Sequence, residues 1–321
     1  MFAGKKVLVT GGAGFIGSHL VDALIQTGAY VRVLDNLETG TLENLQDALQ
    51  SAYCEFQHGD VRSMEDCTRA CSEIDIVFHE AALVSVPISV ADPRKNHDIN
   101  LTGVLNILTA AGNAGVRRFV YATSASVYGS IEKLPKEEHD PRDYTSPYAL
   151  SKGVLEDYAT LWASDDKLGH GMTCVGLRYF NVYGPRQNPE SPYSGVISKF
   201  LAKLQQNEPI TIFGTGEQTR DYVYVADVVV ANLLAATKPL LRPSRVFNVG
   251  TGESISLLTL KECMEAEWGT SVGTEFRETR AGDFMHSRAS LQKIQNELGY
   301  SPQYPLSLGL KYLTQTTRGG M

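Results

Sequence analysis

The sequence is short of cysteine, of surplus basic charge and of long apolar runs, and each shortage disfavours a class of protein. Its five cysteines form no CxxC pair, which argues against a zinc site or a disulfide framework, so we expect no bound metal. A net charge of -7 disfavours nucleic acid and anionic membranes as partners. No apolar run approaches the length of a membrane span, and the first residues lack a signal peptide's apolar core. These absences favour a cytoplasmic protein.

The first half of the chain alternates β-branched runs with amphipathic stretches, a pattern typical of parallel strands joined by crossover helices. The predicted strands span 6–10, 30–35, 53–57, 74–79, 118–123 and 173–178, and the predicted helices span 15–27, 63–70, 101–112 and 147–161. This succession predicts an α/β fold, a Rossmann-type doubly wound parallel sheet with its ligand site beyond the carboxyl ends of the strands.

Prolines interrupt this alternation of strands and helices after residue 178, which predicts a smaller, mixed α/β substrate-binding domain. We expect a dinucleotide-binding domain over 1–178 and a mainly substrate-binding domain over 179–321, with some later segments returning to the first domain.

The first predicted strand runs into a glycine turn and a helix, with the sequence TGGAGFIG. A side chain at Gly11 or Gly14 would block the turn or keep a pyrophosphate from the backbone N–H groups, and Gly17 lets the helix lie close to the sheet. The second strand ends at Asp35, whose carboxylate would accept hydrogen bonds from an adenosine ribose and repel a 2′-phosphate. The sequence therefore predicts a site for NAD in preference to NADP. Asp60, after the third strand, could reach the adenine amino group or could cap a helix.

A second set of residues has the types needed for acid–base chemistry. Tyr148 and Lys152 lie four residues apart, so both side chains project from one face of the predicted helix. A neighbouring ammonium and a bound nicotinamide cation would favour the phenolate form of Tyr148, which makes it a candidate general base. Ser124 ends a strand that leads to the same pocket and offers a hydroxyl, although such a serine also serves as a cap.

These motifs together resemble the extended short-chain dehydrogenase/reductase family, and within it the nucleotide-sugar 4-epimerases. The resemblance spans nearly the whole chain, through TGGAGFIG, HEAA at 79–82, YALSK at 148–152, LRYFNVYGPRQ at 177–187, TRDYVYVADV at 219–228 and RAGD at 280–283. It implies an NAD-dependent isomerase that epimerises a UDP-linked hexose and serves polysaccharide biosynthesis.

The resemblance assigns roles to individual positions. It implies Ser124, Tyr148 and Lys152 as catalytic residues, with Lys152 lowering the pKa of the phenol. The implied cofactor-binding residues are Gly11, Gly14, Phe15, Ile16, Gly17, Asp35, Asn36, Gly40, Asp60, Val61, Ala81, Ala82, Asn100, Tyr148, Lys152 and Tyr179. The implied substrate-binding residues are Ser85, Ser124, Ser126, Tyr148, Asn181, Arg220, Arg280, Asp283 and Ser287, of which Asn181 and the two arginines would hold the diphosphate.

The implied mechanism is a transient oxidation. Tyr148 removes the proton of the C4 hydroxyl as hydride passes to NAD. The 4-keto sugar then rotates within the pocket, and hydride returns to its opposite face. Related dehydratases carry an Asp-Glu pair at Ala125-Ser126, and related uronate decarboxylases carry Glu at Ser126. Those reactions need an acid or base that a seryl hydroxyl does not supply, which favours an epimerase.

The choice of sugar rests on fewer residues. A small side chain at Ser287 would leave room for an N-acetyl group, so we expect both UDP-GlcNAc and UDP-glucose to be substrates, with the N-acetyl sugar favoured. A uronic acid stays an alternative because Arg94 could meet its carboxylate. Apolar residues on the helices predicted at 101–112 and 147–161 favour a homodimer. The remaining alternatives are an NDP-sugar reductase or lyase and a non-catalytic NAD-binding sensor.

Overall fold

Residues 2–188, 195–279 and 285–319 are described by a computed structural model of the chain. The strands are Lys6–Thr10 (β1), Tyr30–Asp35 (β2), Cys54–His58 (β3), Ile76–His79 (β4), Arg118–Ser124 (β5), Thr173–Tyr179 (β6), Asn181–Tyr183 (β7), Ile210–Phe213 (β8), Thr219–Arg220 (β9), Tyr222–Tyr224 (β10), Ser244–Val249 (β11), Ile255–Ser256 (β12) and Thr274–Arg277 (β13). The α-helices are Phe15–Gln26 (α1), Met64–Cys71 (α2), Val86–Ala91 (α3), Pro93–His97 (α4), Gly103–Asn113 (α5), Pro147–Ser164 (α6), Asp166–Gly169 (α7), Val196–Gln206 (α8), Val225–Thr237 (α9), Leu257–Trp268 (α10), Gln292–Leu298 (α11) and Leu306–Gly319 (α12).

Seven strands form one central sheet in the order β11-β6-β5-β4-β1-β2-β3. Every pairing in this sheet is parallel. The chain runs outward from β1 to β3 on one side and from β4 to β6 on the other. The strand order therefore reverses between β1 and β4, which is where an open α/β sheet binds its ligand. The predicted Rossmann-type fold is confirmed.

The central strands are apolar on both faces because helices cover both faces. Along β1, Val7 and Val9 pack into one buried cluster with Leu20 of α1, whereas Leu8 packs into another with Ile107 of α5. The twofold alternation of side chains along a strand explains this division. Both layers of helices are thereby anchored to the same short strands.

The predicted boundaries differ from the structure by a few residues. Strands β1 and β2 match their predictions. Strand β4 begins at Ile76 because the N–H of Ile74 donates to Cys71 in the turn after α2. Helix α5 begins at Gly103, since residues Asp98–Thr102 form a wider π-helical turn. Such differences arise at element ends, where sequence periodicity is weakest.

The later part of the chain forms small sheets and also returns to the central one. Strand β7 pairs with β10, β9 with β12, and β8 with β13. Strand β11 extends the central sheet beside β6, and apolar residues of α9 pack into the same cluster as those of α1. The division at residue 178 stays a prediction. Within the described ranges, no helix combines the length and apolarity needed to cross a membrane.

A buried ion pair fastens α6 to the sheet. Arg178 of β6 donates two hydrogen bonds to Glu156 of α6, at 2.8 and 2.6 Å, and both residues are only 4% exposed. The hydroxyl of Thr123 donates to the same carboxylate at 2.9 Å. Burial lowers the pKa of Arg178, but the hydrogen bonds and charge of Glu156 outweigh this effect and raise it. The pair fixes the height of α6 over β5 and β6.

Replacing Arg178 by leucine should lower the free energy of unfolding by about 3 kcal/mol, because Glu156 would keep a buried charge without its main partner. Urea denaturation measures this loss. The double variant Arg178→Leu, Glu156→Leu should lose less than the single one. As a surface control, Lys5→Met, which removes an exposed pair with Asp75, should cost less than about 1 kcal/mol. Equal stability of the single and double variants would show that the unpaired Glu156 carries no penalty, which would contradict this explanation.

Candidate active site

The turn between β1 and α1 keeps its tight shape because glycines stand where a Cβ would collide with the backbone. Gly11 has φ of +69°, and a Cβ there would lie 2.6 Å from the amide nitrogen of Ala81. A Cβ on Gly17 would collide with the carbonyl oxygen of Gly11. Gly14 precedes α1, and no side chain caps the helix there. In this described segment the N–H groups at the start of the helix, including those of Phe15 and Ile16, therefore have no capping side chain as an acceptor. This arrangement suits a phosphate.

Asp35 lies beside this turn at the end of β2. Its carboxylate accepts hydrogen bonds from the N–H groups of Ala13 (2.9 Å) and Leu37 (2.8 Å). Burial raises the pKa of Asp35, and those hydrogen bonds oppose the rise. Gly40 packs against the turn, since a Cβ there would lie 2.7 Å from the carbonyl carbon of Ala13. The acidic group predicted to meet a ribose is thus fixed next to the glycine turn.

Asp60 is already engaged within the protein. Its carboxylate accepts hydrogen bonds from the Arg62 guanidinium at 2.9 and 2.6 Å and from the Asn36 amide at 2.8 Å. The bond from Arg62 is the main reason that the pKa of Asp60 falls to about 2. Asp60 does not cap α2, because Ser63 fills that role. Direct contact of Asp60 with adenine stays a prediction, as does the role of the buried Val61.

Asn100 supports the segment after β4. Its side chain accepts from the N–H of Leu83 at 2.8 Å and donates to the carbonyl of the same residue at 2.9 Å. It also donates to Asn96. Ala81 and Ala82, which precede Leu83, lie partly buried beside the glycine turn. Asn100 therefore positions this segment, and its predicted contact with a cofactor is untested.

Tyr148 and Ser124 meet at the carboxyl ends of the strands. Ser146 caps α6 and Pro147 occupies its first turn, so the helix begins immediately before Tyr148. Burial raises the pKa of Tyr148, whereas a hydrogen bond with Ser124 lowers it. The Ser124 hydroxyl also accepts from the N–H of Ser126 at 3.1 Å. The serine thus both caps the loop after β5 and contacts the phenol.

Lys152 is buried and lies beside the ring of Tyr148. Its Nζ donates to the carbonyl oxygen of Ala122 at 2.9 Å and lies 6.0 Å from the centre of the Tyr148 ring. Burial lowers the pKa of Lys152 to about 8, and the charges of Glu80 and Glu156 oppose this effect. The interaction that lowers the pKa of Tyr148 here comes from Ser124. Lys152 contributes a buried positive charge behind the phenol.

Two further serines adjoin this centre. Ser85 is buried and caps α3 by accepting from the N–H of Ile88. The hydroxyl of Ser126 is buried with no hydrogen-bond partner among the described residues. A buried hydroxyl without a partner is costly, so Ser126 Oγ is suited to a polar ligand group. Contact of either serine with a sugar stays a prediction.

The residues predicted to hold a diphosphate and a sugar come from the later part of the chain. Asn181 is exposed at the start of β7, and its N–H donates to the main-chain carbonyl oxygen of Asp221. Arg220 is 8% exposed, and its guanidinium donates to the carbonyl oxygens of Thr219 and Met285. The N–H of Ser287 also donates to Thr219. The structure therefore brings Arg220 and Ser287 together at Thr219. Two other predicted residues, Arg280 and Asp283, lie outside the described ones.

Sequence reasoning missed two acidic residues that organise the site. Asp221 is fully buried and accepts from the N–H groups of Thr251, Gly252 and Ala289, which joins three loops near Arg220. Glu80, directly after β4, accepts a hydrogen bond from the Tyr179 hydroxyl at 2.8 Å. Both occur inside motifs that were recognised, but only their long-range partners reveal them.

A cluster of possible metal ligands lies apart from these residues. Among the described residues, Glu137, His139 and Asp140 lie close enough to share an ion. Lys133 already pairs with both carboxylates, so we assign no metal to this group. A neighbouring cavity of about 450 Å³, lined by residues from 137–139 and 290–297, contains none of the predicted site residues.

The glycine turn and the acidic strand end beside it, at the point where the strand order reverses, are typical of a dinucleotide-dependent enzyme. The chain belongs to the NAD dependent epimerase/dehydratase family, whose sequence profile matches residues 7–250.

Individual relatives cover nearly the whole chain. A UDP-glucose 4-epimerase of Mycolicibacterium smegmatis is 38% identical over 308 residues, covering 95% of this chain and 96% of its own. A UDP-N-acetylglucosamine 4-epimerase from Methanobrevibacter ruminantium, solved with UDP-N-acetylmuramic acid, superposes with a TM-score of 0.93 at 33% identity, covering 99% of this chain and 100% of its own. A UDP-glucose 4-epimerase from Thermotoga maritima, solved with UDP-glucose, gives 0.91 at 36%, covering 98% and 99%.

The described residues fit NAD, the cofactor of this family. A side chain at Gly11 would press on the backbone of Ala81, and one at Gly17 would press on the carbonyl oxygen of Gly11, so the turn could not keep this shape with either. Asp35 offers a fixed carboxylate that would repel the 2′-phosphate of NADP. Gly11, Gly14, Phe15, Ile16 and Asp35 would hold the adenosine and pyrophosphate groups.

The variant Gly11→Ala should weaken NAD binding at least about tenfold, because a methyl group would strain the backbone and press on Ala81. Calorimetric titration with NAD measures the loss. Gly115→Ala is the matched control, since Gly115 has a similar φ of +74° but no neighbour within 4 Å. It should lose stability but keep its NAD affinity. Equal affinity in both variants would contradict the assignment of the turn.

Proposed function

We propose that this protein is an NAD-dependent 4-epimerase of UDP-hexoses. The observation that carries the proposal is that Ser124, at the end of β5, lies close enough to Tyr148 to lower the pKa of the phenol, next to a loop that continues with Ala125 and Ser126. The loop over residues 124–129 carries no acidic side chain. The pair can therefore move a proton on and off an oxygen, but the loop lacks the acidic side chains with which a dehydratase moves protons on carbon.

The chain's residues perform the proton transfers. NAD, when bound, would supply the acceptor for the hydride of C4 and the donor for its return. Tyr148, as the phenolate, accepts the proton of the C4 hydroxyl while the C4–H bond breaks and the C4–O bond becomes a carbonyl. Ser124 donates a hydrogen bond to the reacting oxygen, and Lys152 supplies the positive charge that supports the phenolate. After the keto sugar presents its other face, Tyr148 returns the same proton, so the reaction has no net oxidation.

The choice of substrate follows from the second part of the site. Arg220 and Asn181 would hold the diphosphate, and we propose Arg280 and Asp283, which lie outside the described residues, as further substrate-binding residues. Ser287, which is 3% exposed, is small enough to leave space for an N-acetyl group. We propose that UDP-GlcNAc and UDP-glucose are both substrates, and relatives that act on each are similar to this chain over almost its full length.

The oligomeric state and setting are further proposals. Helix α6 carries the exposed side chains of Leu150 (46%) and Leu161 (48%), eleven positions apart and hence on one face. Such a face supports a homodimer, which sedimentation velocity tests. The cysteines are free, which supports a reducing, cytoplasmic setting. We also propose that the product serves polysaccharide biosynthesis and that residues 1–178 and 179–321 are the two domains.

Replacing Tyr148 by phenylalanine should lower turnover of UDP-glucose by about 10²–10⁴-fold, because the general base is lost. NMR of the sugar products measures turnover, and titration should show that NAD binding survives. Tyr30→Phe is the matched control, since Tyr30 is 47% exposed at the first residue of β2, and it should keep full activity. Unchanged turnover in the Tyr148 variant would remove the residue from its role.

Enlarging Ser287 should separate the two sugars. The variant Ser287→Tyr should reduce kcat/KM for UDP-GlcNAc more than about tenfold relative to UDP-glucose, because the phenol would fill the N-acetyl space. Parallel assays of both sugars, in both directions, measure the ratio, and Ser287→Ala should leave it unchanged. A wild-type protein that converts only the non-acetylated sugar would refute the proposed dual substrate range.

A further inference from the structure

Glu80 is a carboxylic acid at the centre of the site for which the proposed mechanism has no use. It directly follows β4, and its N–H donates to the carbonyl oxygen of Thr10 at 3.1 Å. Its backbone lies against the glycine turn, since a Cβ on Gly11 would be 2.9 Å from the carbonyl carbon of Glu80. Glu80 thus adjoins the dinucleotide-binding turn at the point where the strand order reverses.

Hydrogen bonds hold the Glu80 side chain in place. The Tyr179 hydroxyl donates to Oε1 of Glu80 at 2.8 Å, and the Asn232 amide donates to that hydroxyl at 2.7 Å. Asn232 is fully buried on α9, where its amide also donates to the carbonyl oxygen of Val228. The Glu80 carboxyl group is therefore the last acceptor in a chain of hydrogen bonds that begins at the buried Asn232.

Glu80 and Lys152 act on each other through their charges. Burial raises the pKa of Glu80 to about 7, while the Tyr179 hydrogen bond and the Lys152 charge oppose the rise. The charge of Glu80 in turn raises the pKa of Lys152 against the effect of burial. Between about pH 7 and 8 the two groups therefore carry opposite charges, and Lys152 Nζ lies 6.0 Å from the centre of the Tyr148 ring.

The sheet topology places this carboxylate at the nicotinamide end of the site. Asp35, the ribose-binding candidate, lies on β2, on one side of β1. A dinucleotide that crosses the switch point must place its other half over the ends of β4, β5 and β6. Glu80, Ser124 and Tyr179 stand at those three ends.

The charges in this region have opposite effects on catalysis. The ammonium of Lys152 favours the phenolate of Tyr148, but it also repels the oxidised nicotinamide ring, which is positive, more than the reduced ring, which is neutral. An epimerase must return its hydride in every cycle, and a reduced cofactor left after the keto sugar escapes is inactive. A carboxylate that offsets the lysine would limit that loss.

We propose that Glu80, held by Tyr179 and Asn232, determines the redox preference of the site by favouring NAD+ over NADH. The benefit of this preference to the enzyme rests on the proposed function. The effect itself is a difference between the binding of NAD+ and that of NADH. The effect requires the negative charge of the carboxylate, which sets it apart from a packing role.

The test compares cofactor affinities of the whole protein after removal of bound nucleotide. Kd values for NAD+ and NADH are measured by titration at pH 8, where Glu80 is ionised. In Glu80→Gln, which keeps the size and an acceptor for Tyr179, the ratio Kd(NAD+)/Kd(NADH) should rise about tenfold. A unit charge at ~10 Å in a medium of effective dielectric constant ~20 gives an effect of this order.

Three further variants separate charge from shape and from folding. Glu80→Asp keeps the charge and should leave the ratio within about threefold of wild type. Glu138→Gln is the matched control, because Glu138 is also a partly buried carboxylate that accepts a backbone N–H, from Asn248 at 2.8 Å, and it should not change the ratio. Glu80→Ala provides the neutral side chain if the glutamine variant does not fold.

An unchanged ratio in the neutral variants would overturn the proposal, as would equal shifts in Glu80→Gln and Glu80→Asp. The measurement contains no sugar, so its result is independent of epimerase activity. If wild-type protein epimerises UDP-hexoses but the ratio is insensitive to Glu80, only this inference fails. If the ratio shifts but no UDP-hexose turns over, the proposed function fails and the charge effect remains.

Discussion

The buried ion pair between Arg178 and Glu156 determines how the site is assembled. Glu156 lies one helical turn beyond Lys152, Arg178 directly precedes Tyr179, and Thr123, which joins the pair, directly precedes Ser124. A desolvated pair with two parallel hydrogen bonds resists sliding, because any shift would expose an unpaired buried charge. The proposed catalytic residues of α6 and β5 therefore meet at one height above the sheet.

The sheet contributes residues from both of its faces to one pocket. Arg178 faces α6 and Tyr179, the next residue on β6, faces the opposite layer, where Asn232 of α9 receives it. At the carboxyl edge these two sides meet: Lys152 comes from the α6 side and Glu80 from the α9 side. The alternation of side chains along short parallel strands thus places opposite charges around one cofactor-binding edge.

The fold and the local motifs were predictable from the sequence because they depend on short-range patterns. The alternation in β1 and the glycine turn gave correct positions for Gly11 and Asp35. Individual hydrogen-bond partners were not predictable: Arg62 engages the Asp60 carboxylate, and the Lys152 ammonium donates to the carbonyl oxygen of Ala122. A motif specifies which residues are near one another, whereas burial and long-range hydrogen bonds decide their charge and orientation.

The central claim is that a hydride leaves C4 of the sugar and returns to the same carbon within one site. Incubating the protein with UDP-glucose deuterated at C4, in ordinary water and without added cofactor, tests it most directly. The account predicts UDP-galactose that keeps its deuterium at C4, observed by NMR and mass spectrometry. Product in which hydrogen from water replaces the C4 deuterium would show proton abstraction from carbon and contradict the account.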